Sequence, residues 1–468
     1  MWKEGISVIH PFKKKNIHMV LDVNSGAVHV IDSLVYELLL LNQNAGTLKD
    51  GFSVPEDQRE TLVPRYGRQA VKEALKEINL LIEEGMLFSQ PDPSGPQRAH
   101  QPGIIKALCL HVAHDCNISC AYCFASEGTF QGQRSLMNRE TGFAAIDFLI
   151  NHSGGRKHLE VDFFGGEPLL NMDLVKEVVA YAKKREESTG KTFRFTMTTN
   201  GLGLNQTNMA WLNEHMSNVV LSIDGRPEIN DAMRQCHNGE GTYDLVLPRI
   251  KKMAELREDK PHFIRGTFTR RNLDFASDVA HLVELGFDNI SVEPVVAPPD
   301  SPLALQEEDC LRIQEEYDTL ADYMVDRRLM GKPFRFFHFM IDLQQGPCIK
   351  KRASGCGAGT EYIAVTPEGD VYPCHQFVGI ESFKMGHVST GITDNEMVSR
   401  FRDATIYDKE DCQECWARYY CSGGCHANAW HTNGSVLKPE KIGCRLEKAR
   451  IEIAMMLLAR EREDEDID

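Results

Sequence analysis

The chain has 468 residues, of which 42% are hydrophobic and 26% are charged, and its formal net charge is −16. This length predicts two to four domains, because single hydrophobic cores stop growing at a few hundred residues. The acidic balance disfavours nucleic-acid binding, which depends on clustered Lys and Arg. The sequence contains no apolar run long enough to span a membrane and no signal-peptide core, so we expect a cytoplasmic protein without a membrane partner.

Residues 1–95 predict a small winged-helix-like module. Two β-prone runs, 18–23 and 27–31, flank the turn residues Asn24-Ser25-Gly26. Helical patterns follow, the second of them over 68–84. Modules of this kind bind DNA, dimerise, pack against a neighbouring domain or capture a peptide, and composition alone leaves these alternatives open.

The region 96–305 alternates strands with helices. Six βα units indicate a parallel sheet covered by helices, an α/β fold of the partial (β/α)6 type. A helical bridge over 306–345 and a cysteine-rich region over 346–468, which ends in a helix, complete the predicted domains. The predicted strands are 107–112, 159–164, 193–199, 219–223, 263–269 and 290–295, and the predicted helices between them are 139–152, 172–187, 243–257 and 273–285.

Three cysteines directly follow the first predicted strand. Cys116, Cys120 and Cys123 have a Cys-x3-Cys-x2-Cys spacing. A closed structural metal site or an ordinary [4Fe–4S] cluster needs four protein ligands, so three thiolates leave one iron free for a substrate or cofactor. The alternatives are a zinc loop with a distant fourth ligand and three structural cysteines.

With the aromatic Tyr122 before its third cysteine, this loop resembles the cluster loop of the radical S-adenosylmethionine (SAM) enzymes. The resemblance implies that Cys116, Cys120 and Cys123 hold a catalytic [4Fe–4S] cluster whose open iron binds SAM. One electron then cleaves SAM, and the resulting 5′-deoxyadenosyl radical removes a hydrogen atom from the substrate. The cofactors carry this chemistry, while the protein positions the substrate.

Motifs at the ends of the later strands extend the resemblance. Gly165-Gly166-Glu167 matches the family's GGE motif, in which residues without side chains let the backbone approach the ligand. Arg234 suits the SAM carboxylate, because a guanidinium binds a carboxylate with two parallel hydrogen bonds. Each motif alone is also an ordinary turn or cap. The SAM contacts implied by the resemblance are Tyr122, Gly165, Gly166, Glu167, Asn200, Ser222, Asp224 and Arg234.

The cysteines of the C-terminal region resemble those of the SPASM extension, which carries two auxiliary [4Fe–4S] clusters and would bring the total to three. The alternative is a zinc ribbon. If Cys348 is not a ligand, the first auxiliary cluster has an open iron that a substrate thiolate could occupy. The resemblance assigns Cys356, Cys374, Cys425 and Cys348 to the first cluster, and Cys412, Cys415, Cys421 and Cys444 to the second.

Over its full length the chain resembles the thioether-forming maturases of SCIFF peptides, small cysteine-rich ribosomal precursors, and the stretch Asp22–Val30 is part of that likeness. The resemblance implies a bond between a cysteine sulfur and the α-carbon of an acceptor residue, commonly threonine, in the same peptide. The implied partners are a precursor peptide, whose leader the N-terminal module captures as an added edge strand, and a flavodoxin- or ferredoxin-like electron donor.

Four rival functions stay open at this point. A formylglycine-generating sulfatase maturase also has a SPASM domain but has no need for leader capture, and carbon–carbon peptide cross-linking fits the same motifs. A multicluster electron carrier would have no use for the GGE motif or Arg234. A DNA-binding redox sensor would rest on the winged-helix-like module, whose short basic cluster is Lys13–Lys15.

Overall fold

The computed structural model describes residues 8–41, 52–100, 103–341 and 353–465. Its N-terminal module is an antiparallel sheet of order β1-β2-β3 packed against helices. The hairpin and two of the helices agree with the sequence prediction, whereas β1 and α2 were not predicted. The elements are β1 Ile9–Lys14, β2 Ile17–Asp22, β3 Val28–Ile31, α1 Ser33–Leu41, α2 Glu56–Tyr66 and α3 Arg68–Glu83, followed by a short helix α4 Gly95–Ala99.

The central region is the predicted partial barrel. Its six main strands are parallel neighbours in the order of their appearance, and their apolar side chains form the largest hydrophobic core of the described chain. The strands are β4 Ala107–His114, β5 Ile118–Cys120, β6 Ser135–Leu136, β7 His158–Gly165, β8 Thr192–Thr199, β9 Asn218–Ser222, β10 Arg234–Cys236, β11 His262–Phe268 and β12 Asn289–Pro294, of which β4, β7, β8, β9, β11 and β12 are the six.

Helices connect these strands on the outside of the sheet. Parallel strands require such crossovers, and the alternation read from the sequence is confirmed. Helices α7 and α8 were not predicted. The helices are α5 Arg139–His152, α6 Met172–Thr189, α7 Gln206–His215, α8 Pro227–Met233, α9 Tyr243–Arg257, α10 Phe275–Glu284 and the bridge helix α11 Asp309–Leu329.

The C-terminal region joins the same sheet instead of forming a separate one. Strand β14 pairs in parallel with β4, so that Ala364 lies opposite Cys109. The sheet therefore carries the backbone of the cysteine-rich region next to the strand that leads into the cluster loop. The remaining elements are β13 Arg335–Phe336, β14 Tyr362–Val365, β15 Asp370–Tyr372, β16 Gly386–His387, β17 Gly391–Ile392, α12 Asn395–Arg402, α13 Glu410–Gln413, α14 Arg418–Cys421, α15 His426–Asn433 and α16 Lys441–Glu465.

The N-terminal module is docked on the rest of the chain through specific contacts. The His10 ring stacks on Trp416 with centroids 3.8 Å apart, and its Nε2 lies 2.9 Å from a Glu452 carboxylate oxygen. Lys14 and Lys15 reach Asp318 and Asp322 of the bridge helix, at 3.3 and 2.7 Å.

Two lysines of the short basic cluster thus hold the module in place, which weakens the case for a DNA-binding face. No described helix is both long and apolar enough to cross a bilayer.

The core of the N-terminal module offers a matched pair of substitutions on one helix. Leu38 is fully buried and Leu40 is 39% exposed. We expect Leu38→Ala to destabilise the module by about 2–5 kcal/mol through a cavity and Leu40→Ala by no more than about 0.5 kcal/mol. Hydrogen exchange of β1–β3 amides in the full chain would measure both, and equal protection in the two variants would contradict this packing.

Candidate active site

The cluster loop is held by a second short strand. Within the loop, β5 pairs antiparallel with β10, which places Arg234 opposite Cys120. The Ala121 N–H donates to the Met233 carbonyl at 2.8 Å, and His237 Nε2 lies 2.9 Å from the Cys116 carbonyl oxygen. The segment 233–237 therefore fixes the backbone between the first and third cysteines. The sequence analysis missed this clamp, since three-residue strands paired across the chain leave no periodic pattern.

Positions 165 and 166 require glycine because the backbone of Ala113 and Asp115 lies directly against them. A Cβ on Gly165, which has φ +127°, would lie 2.2 Å from the Ala113 carbonyl oxygen, and a Cβ on Gly166 would lie 2.2 Å from that of Asp115. The Gly166 N–H donates to the Ala113 carbonyl at 2.8 Å. The prediction explained these glycines by approach to a ligand. In the structure their first effect is to let the end of β7 approach the cluster loop.

Gly128 belongs to the same contact and was missed by the sequence analysis. A Cβ on Gly128 would lie 2.8 Å from the Gly166 Cα and 3.0 Å from the Cys116 Cβ. Its φ of +90° also favours glycine. Gly128 thus packs between Gly166 and the first cysteine.

Glu167 organises the neighbouring strand end. Its carboxylate is fully buried and accepts hydrogen bonds from the Thr199 hydroxyl at 2.7 Å and the Asn200 N–H at 2.8 Å. The Asn200 amide in turn donates to Asn117 Oδ1 at 2.8 Å and lies 3.7 Å from Cys116 Sγ. Burial raises the pKa of Glu167, although these donors oppose the shift. Glu167 therefore positions Asn200 beside the first cysteine.

Tyr122, Asp224 and Arg234 form a buried polar cluster. The Tyr122 hydroxyl donates to the Asp224 carboxylate, with oxygens 2.8 and 2.9 Å away, and accepts from Arg234 at 2.8 Å. Burial raises the pKa of Asp224, and the nearby guanidinium opposes that shift. The arrangement fixes Tyr122, two residues after Cys120, against the end of β9.

The loop thiols open into one cavity of about 190 Å³. Of the predicted SAM contacts, Tyr122, Gly165, Gly166, Asn200, Ser222 and Arg234 line it together with the three cysteines. The carboxylates of Glu167 and Asp224 are turned into the protein and support lining residues. Three polar lining residues were not predicted, because on a strand they read as ordinary alternation; these are Thr267, Arg265 and Glu293. Gln376, from a short turn after β15, lines the cavity as well and was not predicted either.

The four cysteines predicted for the second auxiliary cluster lie around another cavity, of about 290 Å³; these are Cys412, Cys415, Cys421 and Cys444. Burial raises the pKa of Cys412 to about 12, and that of Cys421 to about 12 as well. Among the described residues, no group of three His, Cys, Asp or Glu side chains is arranged to hold a single metal ion.

Three of the cysteines predicted for the first auxiliary cluster are neighbours. Burial raises the pKa of the Cys374 thiol well above its ordinary value, and the nearby thiols of Cys425 and Cys356 raise it further. The predicted fourth ligand, Cys348, lies outside the described residues. The assignment of individual cysteines to clusters stays a prediction.

Comparisons with known proteins agree with this architecture. A 4Fe-4S single cluster domain matches residues 102–247, and the SPASM iron-sulfur cluster-binding domain matches residues 356–416. The chain is thus an iron–sulfur protein with a barrel cluster and an auxiliary-cluster region. It is 22% identical over 342 residues to the cysteine-type anaerobic sulfatase-maturating enzyme of Clostridium novyi, covering 69% of this chain and 88% of that one.

Two solved structures share the fold. Native anSMEcpe with bound AdoMet covers 75% of this chain and 98% of its own, with a TM-score of 0.63 and 21% identity. Streptococcus suis SuiB bound to precursor peptide SuiA covers 94% of this chain and 99% of its own, with a TM-score of 0.55 and 15% identity. The predicted fold class is confirmed.

The Gly166 contact can be tested with a matched glycine. We expect Gly166→Ala to push the loop away from β7 and to weaken SAM binding at least about tenfold, about 1.4 kcal/mol. Gly155→Ala is the control, because a Cβ there meets nothing within 4 Å. Calorimetric SAM titration of the iron-loaded proteins would measure the effect, and equal affinities for the two variants would contradict it.

The thiols also predict a pH dependence. Burial raises the pKa of Cys116 to about 12 and that of Cys120 to about 11. The thiolate fraction below these values rises with pH, so alkylation of the cluster-free protein should increase about tenfold per pH unit between about pH 8 and 10. A free cysteine levels off above its pKa of about 8.5. Pulsed alkylation with mass spectrometry would measure this, and a plateau at the same pH as free cysteine would refute it.

Proposed function

We propose that the chain is a radical SAM enzyme that modifies a ribosomally made, cysteine-rich precursor peptide. The modification is an intramolecular thioether between a cysteine sulfur and the α-carbon of an acceptor residue, with threonine as the expected acceptor. The observation that carries the choice of a peptide substrate is the edge of the N-terminal sheet formed by β3. A flavodoxin- or ferredoxin-like electron donor stays a prediction.

The β3 edge is available to a peptide strand among the described residues. In the order β1-β2-β3, β3 pairs only with β2, while β1 packs against the C-terminal helix α16. Val30 on β3 is 53% exposed. An unpaired strand edge offers N–H and C=O groups to an extended peptide, and an exposed apolar side chain on that strand can select its residues.

The leading module also has a counterpart of known fold. The match to SuiB leaves too little of the chain uncovered to omit residues 8–95. That protein was solved with its precursor peptide, which supports peptide capture as the role of this region. The likeness to SuiB supports only the fold of this region. The proposal that this chain binds a peptide rests on the open β3 edge.

The cavity residues fit the proposed cofactors. Three thiols at one cavity wall suit an iron–sulfur cluster with one open iron, and Arg234 lines the same cavity with a guanidinium that can pair with a carboxylate. SAM carries such a carboxylate, and AdoMet is bound in the anSMEcpe structure. We therefore assign SAM to this cavity and [4Fe–4S] clusters to the three groups of thiols.

Two further cavities share lining residues with this one. Tyr122, Phe124 and Gln376 also line a neighbouring cavity of about 280 Å³. Its residues Val296 and His431 are shared with a third cavity of about 280 Å³ beside α16. Neighbouring cavities in series offer room for an extended peptide segment, whereas a small metabolite would need only the first cavity.

In the proposed reaction the peptide loses two hydrogens, one from the α-carbon and one from the thiol, and gains a carbon–sulfur bond. The bound clusters and SAM supply the redox chemistry: a radical that takes the hydrogen atom and an acceptor for the remaining electron. The protein's part is to hold the α-carbon in the cavity and to keep water out. Tyr122, fixed by Asp224 and Arg234, and the clamped segment 116–123 provide the rigid wall that this requires.

A formylglycine-generating maturase is the second candidate, favoured by the relative from Clostridium novyi. The two reactions give different products. The test is mass spectrometry of the anaerobically reconstituted enzyme incubated with SAM, a reductant and the cysteine-rich precursor encoded beside its gene. The proposal expects a product two hydrogens lighter, with one alkylatable cysteine fewer and no disulfide. A product that reacts with a hydrazide probe would favour formylglycine and overturn the thioether proposal.

Leader capture gives a separate prediction at β3. We expect Val30→Asp to weaken binding of the leader peptide about tenfold or more, because the carboxylate must be desolvated at the peptide contact. Leu245→Asp is the control, since Leu245 is 42% exposed on α9, a helix between two barrel strands. Fluorescence anisotropy with a labelled leader would measure both. Equal weakening, or none, would exclude β3 as the docking edge.

A further inference from the structure

We propose that Lys409 is an internal counter-ion shared by the two auxiliary clusters and that its charge raises their reduction potentials. This inference rests on the proposed ligand sets of those clusters, and it is independent of which peptide modification the enzyme performs. Lys409 is fully buried, although lysine is almost never fully buried without a partner. The charged and polar groups near the Lys409 ammonium therefore decide what this residue does.

The described protein supplies Lys409 with a carbonyl but with no carboxylate. Its Nζ donates to the Gly423 carbonyl at 2.7 Å, and no ion pair involving Lys409 occurs among the described residues. Removing an ammonium from water costs several kcal/mol unless an opposite charge compensates it. A neutral carbonyl alone is weak compensation, so a negative group must lie near when the protein carries its cofactors.

Thiols of both auxiliary ligand sets lie near this ammonium. Burial lowers the pKa of Lys409, and the nearby thiols of Cys412, Cys421 and Cys444 of the second set and Cys425 of the first oppose that shift. A [4Fe–4S] cluster with four thiolates is an anion in both of its common oxidation states. The bound clusters therefore provide the negative charge that the described side chains do not.

The hydrogen-bond acceptor lies between the two ligand sets. Gly423 stands midway between Cys421, assigned to the second cluster, and Cys425, assigned to the first. Ser422, Gly423 and Gly424 all have positive φ, a run that turns the Gly423 carbonyl onto the ammonium. A Cβ at Gly423 would lie 3.2 Å from Nζ, so the fit is close. One lysine thus holds the link between the two clusters and places its charge beside both.

A fixed positive charge in a water-poor site favours the reduced, more negative state of a nearby cluster. An auxiliary cluster proposed to accept an electron from the substrate would benefit from this. The exposed Lys441 also lies near the second ligand set, since it lines the cavity of those thiols, but water and salt screen its charge. Lys441 is therefore the matched control.

The test is EPR-monitored redox titration of the reconstituted full-length protein without peptide, with iron and sulfide analysis. In Lys409→Met we expect at least one auxiliary midpoint potential to fall by about 59 mV or more, a tenfold change for a one-electron couple. Lys409→Arg and Lys441→Met should keep the wild-type potentials, as should the cluster of the 116–123 loop in every variant.

Each outcome decides the proposal. If Lys409→Met and Lys409→Gln lose auxiliary iron but Lys409→Arg does not, a positive charge at this position is needed to bind the clusters. That result would support the proposal. Unchanged potentials in Lys409→Met, an equal fall in Lys441→Met, or loss of iron from all three Lys409 variants would overturn it. Because no peptide is present, failure of the thioether proposal would leave these readings unaffected.

Discussion

The close approach of two backbones determines the rest of the site. The end of β7 can lie against the end of β4 and the start of the cluster loop only because residues 165 and 166 are glycines, whose missing Cβ atoms would stand 2.2 Å from the carbonyl oxygens of Ala113 and Asp115. From that contact follow the burial of Glu167, the position of Asn200 beside Cys116 and the shape of the cavity. The cluster loop is an irregular segment, and it is rigid because regular strands hold it from two sides.

The second constraint is that all three parts of the chain contact one another around the proposed cluster sites. Strand β14 of the cysteine-rich region extends the barrel sheet beside β4. The N-terminal module meets the loop that carries cysteines proposed for the second auxiliary cluster, where Arg418 donates to Asn24 Oδ1 at 2.9 Å and Tyr420 donates to the Gly26 carbonyl at 3.1 Å. The turn between β2 and β3 thus rests on residues between Cys415 and Cys421. The proposed peptide edge, the auxiliary ligands and the barrel cavity form one connected assembly.

The sequence predicted the parts of the fold that depend on local pattern. The six barrel strands are runs of apolar and β-branched residues, and α5 and α9 lie where the apolar periodicity placed them. Strand β1 was missed because Pro11 and the neighbouring lysines interrupt its alternation, and α2 because it is polar and contains Pro64. The β5–β10 pair could not be predicted, since each strand has three residues and its partner lies far along the chain.

In the candidate site, too, only the residues with a local sequence pattern could be predicted. Cysteine spacing and the glycine pair predicted residues that the structure brings to one cavity, but the close contact that these glycines make is a tertiary one that no local pattern contains. Arg265 and Glu293 were overlooked because strand residues with alternating burial give no sign of which face borders a cavity. Lys409 was overlooked as well, since an isolated lysine reads as a surface residue until its burial is known.

We propose that the loop of Cys116, Cys120 and Cys123 holds a cluster that cleaves SAM. This can be tested by measuring the 5′-deoxyadenosine formed under reducing, anaerobic conditions by the wild-type protein and by Cys120→Ala, each with its iron content determined. We expect the nucleoside from the wild type and none from Cys120→Ala, although the variant keeps its auxiliary iron. A fully loaded wild-type protein that forms no 5′-deoxyadenosine, or a variant that forms as much as the wild type, would contradict it.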